Sequence, residues 1–141
     1  MSRRSRAREV ALQSLYRAEV SGAVDPRDRA RFHRGRLQSG PLVAFADELV
    51  DGVRERQAEL DALIDGRSEN WRVSRMAATD RAVLRIAAFE LFHTDTPGPV
   101  VVDEAIELAR RYGSEASPRF VAGILGGLLA DRDAQHRSAP A

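Results

Sequence analysis

The chain has 141 residues, a net charge of +1 and no cysteine. A domain of this size can bury a core without cross-links, and the missing cysteines exclude disulfides, thiolate metal sites and cysteine nucleophiles. No apolar run approaches the ~20 residues that span a bilayer, and no apolar signal-peptide core follows the basic N-terminus. The composition therefore predicts a soluble cytoplasmic protein.

The first predicted element is an amphipathic helix over residues 7–20, which follows a cluster of arginines. Ala7, Val10 and Ala11 share one face of this helix, and the spacing predicts that this face packs in the core. Residues 1–8 carry four positive charges and no acid. The cations are Arg3, Arg4, Arg6 and Arg8. Because a helix N-terminus prefers acids, each of these cations costs roughly 0.3–1 kcal/mol there.

Arginines close to an aromatic residue are typical of RNA-binding surfaces. Arginine holds phosphates, and an aromatic ring stacks on an unpaired base. The N-terminal cluster leads along the predicted helix to Tyr16, one of two tyrosines in the chain. Two interpretations remain open at this point: nucleic-acid binding, and a solvated, frayed terminus.

A helix stop and a restart are predicted at "VDPRD". Asp25 is the expected N-cap and Pro26 the first helical residue. The helix that follows, to about Gln38, carries five arginines and one aspartate between residues 27 and 36, a net charge of +4. This stretch either extends a nucleic-acid footprint or is simply solvated, and the sequence leaves both alternatives open.

A further helical pattern begins at Pro41, after the breaker "SGP". Its apolar residues continue at helical spacing to Ile64 and allow a bend before Leu60. Residues 47–69 carry eight acids and three arginines, a net charge of −5. Such a local field is what a charged partner senses, so this segment is a candidate surface for a protein partner.

The most apolar helix is predicted between Ala82 and Phe92, where nine of eleven positions are apolar. A helix that is apolar nearly all round is usually the central one. Glu90 interrupts it, either as one half of an ion pair with an arginine of another helix or as a general acid or base. The ion pair is favoured, because no second catalytic group can be placed beside this carboxylate.

Two more helices are predicted before the C-terminus. Residues 101–112 form the first, which Gly113 stops, and Ser117 caps the second. Residues 133–141 lack periodicity and are predicted to be a disordered tail. With no segment showing strand alternation, the sequence predicts an all-α bundle of six or seven helices.

The last predicted helix contains glycines in its interior, where each costs up to ~1 kcal/mol relative to alanine. Gly123 and Gly127 are four residues apart and form a face that another helix could approach closely. Intramolecular packing is the favoured interpretation, and the seam of a homodimer is the alternative.

Signatures of catalysis are absent from the sequence. No glycine-rich loop has the context of a phosphate cradle, and the three histidines lack metal-ligand spacing. No serine has a histidine and an acid at motif spacing. We therefore predict a protein that is not an enzyme and that uses no cofactor or metal.

Several stretches together resemble the NusB family of bacterial transcription antitermination factors. They are "RSRAREVALQSLY", "DELVDGV", "NW…DRAVLRIAAFEL" and "VVVDEAIELARRYGSEASPRFVAGIL". Each is modest alone, but their order and spacing over about 120 residues make the resemblance specific. It implies two small helical subdomains packed together, about 1–68 and 69–132.

The resemblance also implies a function and its partners. NusB proteins bind the boxA element of single-stranded nascent RNA in ribosomal RNA operons, together with NusE, a ribosomal protein of the small subunit. The pair helps RNA polymerase, within its antitermination complex, to read through termination signals. The implied RNA-binding residues are Arg3, Arg4, Arg6, Arg8, Tyr16 and Phe120. The implied NusE-binding residues are Asp80, Arg81, Glu90 and Phe120.

The sequence departs from the family in one motif. The family's "FVNGVLD" is "FVAGILG" here, with Ala122 in place of asparagine and Gly126 in place of aspartate. If that asparagine supports the RNA or partner surface, this chain manages without it. Two alternative functions keep the fold: a stand-alone module for ribosomal RNA maturation, and a purely protein-binding module.

Overall fold

The computed structural model describes residues 3–22 and 24–138, and these residues form seven α-helices and one short 3₁₀ turn. No strand occurs among them, so the prediction of an all-α fold is confirmed. The helices are α1 (Arg3–Ser21), α2 (Pro26–Leu37), α3 (Gly40–Glu55), α4 (Gln57–Arg67), α5 (Ala78–His93), α6 (Gly98–Tyr112) and α7 (Ser117–Ser138). The 3₁₀ turn is Val73–Arg75.

The chain divides into two compact units, residues 1–55 and residues 56–141. The N-terminal unit contains α1, α2 and α3, and each of these helices packs against the other two. Ala7, Val10 and Ala11 are each at most 2% exposed, which confirms the predicted core face of α1. Phe45, Leu49 and the valines of α3 complete the core of this unit.

Helix α2 begins and is anchored as its sequence requires. The Asp25 side chain accepts a hydrogen bond of 2.7 Å from the Arg27 amide, and Pro26 follows this cap. The Arg29 Nη1 atom lies 2.6 Å from Asp51 Oδ1 of α3. The buried His33 ring bonds Asp47 through Nδ1 at 2.7 Å. The predicted stop and restart are therefore confirmed, and polar contacts fix α2 to α3.

The C-terminal unit is built around α5, which contacts α4, α6 and α7. Nine of the ten residues of α5 from Ala82 to Leu91 are buried, and Arg85 is the exception. This burial confirms the prediction that the most apolar helix is central. The Arg85 guanidinium makes two bonds of 2.8 Å to the Asp61 carboxylate and so ties α5 to α4.

The unit boundary at Glu55 and Arg56 lies before the predicted division at residues 68 and 69. The sequence pattern runs on through α4, because α3 and α4 have apolar residues in one register. The backbone breaks at Arg56, with φ −113° and ψ 18°, in the region where the pattern allowed a bend. Helix α4 then packs on α5 and α7, which places it in the C-terminal unit.

Helix α7 extends to Ser138, whereas the sequence predicted a disordered tail from residue 133. Periodicity fails there because this last stretch is exposed and has no apolar face to bury. It contains no glycine or proline before Pro140, so no residue in it stops the helix. Residues 139–141 of the predicted tail lie outside the described residues.

The glycines of α7 differ in what surrounds them. A Cβ atom at Gly127 would lie 2.7 Å from Cδ of Arg67, whose guanidinium binds the Asp131 carboxylate through two bonds. A Cβ atom at Gly123 would meet nothing within 4 Å. Gly127 is therefore used for close packing inside the unit, as favoured from the sequence, and Gly123 lies on an open helix surface.

Candidate nucleic-acid interface

The start of α1 places three arginines at the positive end of a helix. Arg3, Arg4 and Arg6 are exposed, and the first turn contains no acid. The first backbone N–H groups of a helix have no partner inside it, and together with the helix dipole they attract anions. The guanidiniums and this helix end therefore act in the same direction, and the arrangement favours a phosphate.

These arginines are held by neighbours within the N-terminal unit. The Arg4 guanidinium carbon lies 4.3 Å from the centre of the Phe45 ring of α3, a cation–π contact. Arg6 pairs with Glu9 at 3.6 Å. Phe45 was not predicted to take part, since it is about forty residues away in the chain and reads only as a core residue.

Arg8 differs from the other three arginines of the cluster. Its side chain is buried, with 3% of the residue exposed, and its guanidinium also faces Phe45, at 5.3 Å. The helical repeat explains this, because Arg8 shares a face with Ala11 and Leu15 at spacings of three and seven. Arg8 therefore contacts Phe45 from within the unit, and its predicted contact with RNA stays a prediction.

Tyr16 is 44% exposed, so its ring is accessible for stacking. It follows Arg6 by ten residues, which is about 15 Å along the helix axis, and it is rotated by about 80° around that axis. The structure therefore does not place Tyr16 beside the arginine cluster. Their proximity in the sequence suggested that the arginines and Tyr16 form one cluster, but the helix places them apart.

In the C-terminal unit, a groove of about 290 Å³ brings two of the predicted residues together. Its walls come from the segment before α5, the start of α5, the turn before α7 and the start of α7. The lining residues are Trp71, Arg75, Met76, Ala77, Asp80, Ser114, Ala116, Ser117 and Phe120. Asp80 and Phe120, forty residues apart in the chain, thus contribute to one surface.

The groove combines exposed aromatic surface with an unsatisfied acceptor. Trp71 is 55% exposed, and Phe120 is half-buried. The Oδ1 atom of Asp80 is buried and has no hydrogen-bond partner among the described residues. A buried acceptor without a partner is costly, but Asp80 lies in the first turn of α5, where the helix dipole favours a carboxylate. The sequence predicted Asp80 and Phe120 but not Trp71, which reads as a loop residue.

The turn that closes one side of the groove depends on Gly113. Its φ is −93°, so the glycine is not required for a left-handed backbone, contrary to the usual reason for glycine at a helix end. A Cβ atom at this position would lie 2.8 Å from the Ala109 carbonyl oxygen and would overlap Ser117. The Ser117 hydroxyl accepts a bond of 2.9 Å from the Ser114 amide, rather than capping α7 as predicted.

Arg81 faces the backbone beneath the groove. Its Nη1 atom donates to the carbonyl oxygens of Val73 at 3.1 Å and Met76 at 3.0 Å. Burial, together with the nearby Arg85 charge, lowers the pKa of Arg81 below its ordinary value. These bonds hold the 3₁₀ turn against α5, so the predicted partner-binding residue shapes the groove.

Glu90 lies inside the C-terminal unit, with 1% of the residue exposed. Its Oε1 atom accepts a bond of 3.3 Å from the Thr96 hydroxyl. Glu90 lies in the last turn of α5 and has little exposed surface in the free chain, and its predicted contact with NusE stays a prediction. The departures at Ala122 and Gly126 fall on α7, where Ala122 is half-buried and Gly126 is exposed.

Within residues 3–22 and 24–138, no three histidine, aspartate or glutamate side chains group as metal ligands. None of the helices described is both long enough and apolar enough to cross a membrane.

Comparison with known proteins identifies the family of this chain. The family model described as "NusB family" matches residues 5–130. The transcription antitermination protein NusB of Sorangium cellulosum is 48% identical over 126 residues, which is 89% of this chain and 90% of that relative. The protein of the same name from Rubrobacter xylanophilus is 43% identical over 130 residues, which is 90% of this chain and 89% of that relative.

Solved structures agree with this similarity. The structure of NusB from T. maritima is 32% identical, with a TM-score of 0.80, and the match covers 93% of this chain and 92% of that one. A structure of antitermination factors NusB and NusE in complex with double-stranded RNA is 24% identical, with a TM-score of 0.80, and supports the fold alone. With a family model that spans most of its length and relatives above 40% identity, the chain belongs to the NusB family.

Proposed function

We propose that this chain is a non-catalytic, RNA-binding transcription antitermination factor. It binds single-stranded boxA RNA of ribosomal RNA operons together with NusE, and it acts in the antitermination complex of RNA polymerase in the bacterial cytoplasm. The proposal takes its functional class from the relatives, which are named transcription antitermination proteins. It takes its site from the exposed residues of this chain.

The observation that carries the proposal is the start of α1. Arg3, Arg4 and Arg6 are exposed on a helix end without acids, a placement that lowers the stability of the free protein. A bound phosphate reverses that effect, because it pairs with the guanidiniums and interacts favourably with the positive end of the helix dipole. Tyr16, exposed further along the same helix, supplies a ring for base stacking.

The groove of the C-terminal unit is the second proposed contact. Phe120 and Trp71 offer apolar surface, and Asp80 lines the same groove, which suits a base or a peptide segment of NusE. Arg81 and Glu90 act from within the unit, Arg81 by holding the turn beneath the groove. No catalytic role is assigned to any of these residues.

The proposal is tested by titrating labelled boxA RNA and a scrambled RNA of equal length, with and without NusE, at several salt concentrations. We expect a preference for boxA, tighter binding when NusE is present, and a log–log salt slope of a few units, because each phosphate contact on a single strand contributes about −0.7. Equal affinity for the two RNAs in the presence of NusE would contradict the proposal. Binding of NusE without any binding of RNA would support a purely protein-binding module.

The groove is tested by Phe120→Ala, with Val100→Ala as the matched control. Val100 is also exposed, at 43%, but lies on α6 outside the groove. Phe120→Ala should reduce the affinity for boxA RNA in the presence of NusE by several-fold, and Val100→Ala should leave it unchanged. Equal effects of the two substitutions would remove the groove from the proposed interface.

A further inference from the structure

A second group of arginines surrounds Phe32 on α2. The Arg17 guanidinium carbon of α1 lies 4.5 Å from the centre of the Phe32 ring, and that of Arg36 lies 5.1 Å from it. Phe32 thus holds two cations from two helices close together. Cation–π contacts of this kind are favourable, but they do not neutralise the charges, and the two guanidiniums repel each other.

The arginines of α2 fall into two classes. Arg29 is paired with Asp51 and Asp47 of α3, and Arg31 lies 3.8 Å from Asp28. The others have no carboxylate partner among the described residues, and all are exposed. These are Arg27, Arg34 and Arg36, and Arg17 of α1 shares this property. We call these four residues the α2 arginine surface.

From this arrangement we infer that the α2 arginine surface is a second RNA site, which binds the phosphate backbone outside the boxA element. A guanidinium presents a planar fork of donors that matches a phosphate. A phosphate bound by these guanidiniums would offset the repulsion between their like charges. The inference rests on the proposed function, because it assumes that an RNA is already engaged at the start of α1.

The two sites are on connected parts of one unit. The Arg3 guanidinium lies 3.5 Å from the Ser39 hydroxyl, so the start of α1 lies next to the C-terminal end of α2. Arg34 and Arg36 are in the last turn of α2. An RNA that extends beyond the start of α1 would therefore be close to the guanidiniums of Arg34 and Arg36, which have no carboxylate partner among the described residues.

The chemistry of this surface favours RNA over a protein partner, and phosphate over base. Protein interfaces need an apolar centre, and none of the exposed large apolar residues of the described chain lies on α2, although Tyr16 and Val20 are near Arg17 on α1. Phe32 is already in contact with two guanidiniums, so its ring is not free to stack a base. Contacts to phosphate alone carry no sequence information, so the added affinity should not depend on the sequence of the flank.

The experiment compares three RNAs: boxA alone, boxA with a flanking single strand, and boxA with a flank of a different sequence. Wild type should bind both flanked RNAs equally and more tightly than boxA alone. Arg34→Gln/Arg36→Gln should lose this gain, make the salt slope for the flanked RNA shallower by about 1.4, since each contact contributes about 0.7, and bind boxA alone as wild type does.

The matched control is Arg56→Gln/Arg110→Gln, which removes the same charge from two exposed arginines that pair with Glu59 and Glu107. This control should keep the gain from the flank. Arg34→Lys/Arg36→Lys should restore most of the salt slope, because the charges return, and the thermal unfolding of every variant shows whether it folds.

Each of the following results would overturn the inference. The first is a gain from the flank that persists in Arg34→Gln/Arg36→Gln, and the second is a gain that depends on the sequence of the flank. The third is an equal loss in the control pair. If wild type binds boxA but gains nothing from a flank, the inference fails and the proposed function stands. If wild type binds none of the RNAs, both fail.

Discussion

The arginines of the two units differ in what they contact. In the C-terminal unit, five arginines form ion pairs with carboxylates, for example Arg67 with Asp131 and Arg85 with Asp61. In the N-terminal unit, Arg6, Arg29 and Arg31 also pair with carboxylates, but two phenylalanine rings in addition each hold a pair of arginines. A carboxylate cancels the charge of an arginine, whereas a ring contact by itself does not. The comparison separates arginines that hold the fold from arginines that attract a phosphate.

The largest effect on stability is expected for Arg85→Gln. Its two bonds to Asp61 join α4 to α5, and the Arg85 side chain is only 14% exposed. Removing the cation leaves the Asp61 carboxylate without its partner, and we expect the free energy of unfolding to fall by about 2 kcal/mol. Urea unfolding of the full chain measures this change. A loss below about 0.5 kcal/mol would mean that the pair behaves as a surface contact.

The glycines of α7 offer a matched pair with opposite expectations. Gly123→Ala should raise the free energy of unfolding by up to about 1 kcal/mol, because the position is helical and open. Gly127→Ala gains the same helix propensity but forces the Arg67 side chain away from its path to Asp131, so its net effect should be smaller or negative. Urea unfolding of both variants checks this. Equal stabilisation would show that the Arg67 side chain moves aside without lowering the free energy of unfolding.

Arg4→Gln should change stability little. The substitution removes the cation–π contact with Phe45, a loss of about 0.5 kcal/mol at an exposed site. It also removes a cation from the positive end of α1, which is a gain of similar size. We expect the free energy of unfolding to change by less than about 0.5 kcal/mol. A clear destabilisation would show that this arginine holds the fold, as those of the C-terminal unit do.

The smallest effect concerns the acid side of the pH profile. The hydrogen bond from Arg67 lowers the pKa of Asp131 below its ordinary value of 3.8, so the pair stabilises the fold above that pH, and this contribution is lost as the pH falls below it. Arg67→Gln should therefore flatten the decline of the melting temperature on acidification. A profile parallel to that of wild type would contradict the assignment.

Particular residues show how much of the fold and of the candidate site could be predicted from the sequence. The periodicity of α1 located its core face, because burial on one side imposes a 3.6-residue repeat on the sequence, and the nearly uniform apolar composition of α5 identified it as the central helix. The same periodicity places Arg8 on the face of Ala11 and Leu15. The sequence nevertheless groups Arg8 with the other N-terminal arginines, because all four belong to one run of positive charge. The sequence missed Phe45 and Phe32 as partners of arginines, since such contacts join distant helices and leave no local pattern.

The groove was also predicted only in part from the sequence. The resemblance to the family identified Asp80 and Phe120 as site residues. Only the structure shows that Trp71 lines the same groove and that one oxygen of Asp80 has no hydrogen-bond partner among the described residues. The resemblance to the family implied that Glu90 contacts NusE. The structure shows that this side chain is buried in the C-terminal unit, which the motif alone does not reveal. The end of α7 was missed because an exposed helix without an apolar face has no periodic signal.

The central claim is that RNA is bound by the exposed arginines at the start of α1 and not by the ion-paired arginines of the C-terminal unit. The most direct test is the slope of log affinity against log salt for boxA RNA, measured for Arg3→Gln/Arg4→Gln and for Arg67→Gln/Arg110→Gln. Both double variants lose the same charge. The account predicts a slope shallower by about 1.4 for the first pair and an unchanged slope for the second. Equal slopes for the two pairs would contradict it.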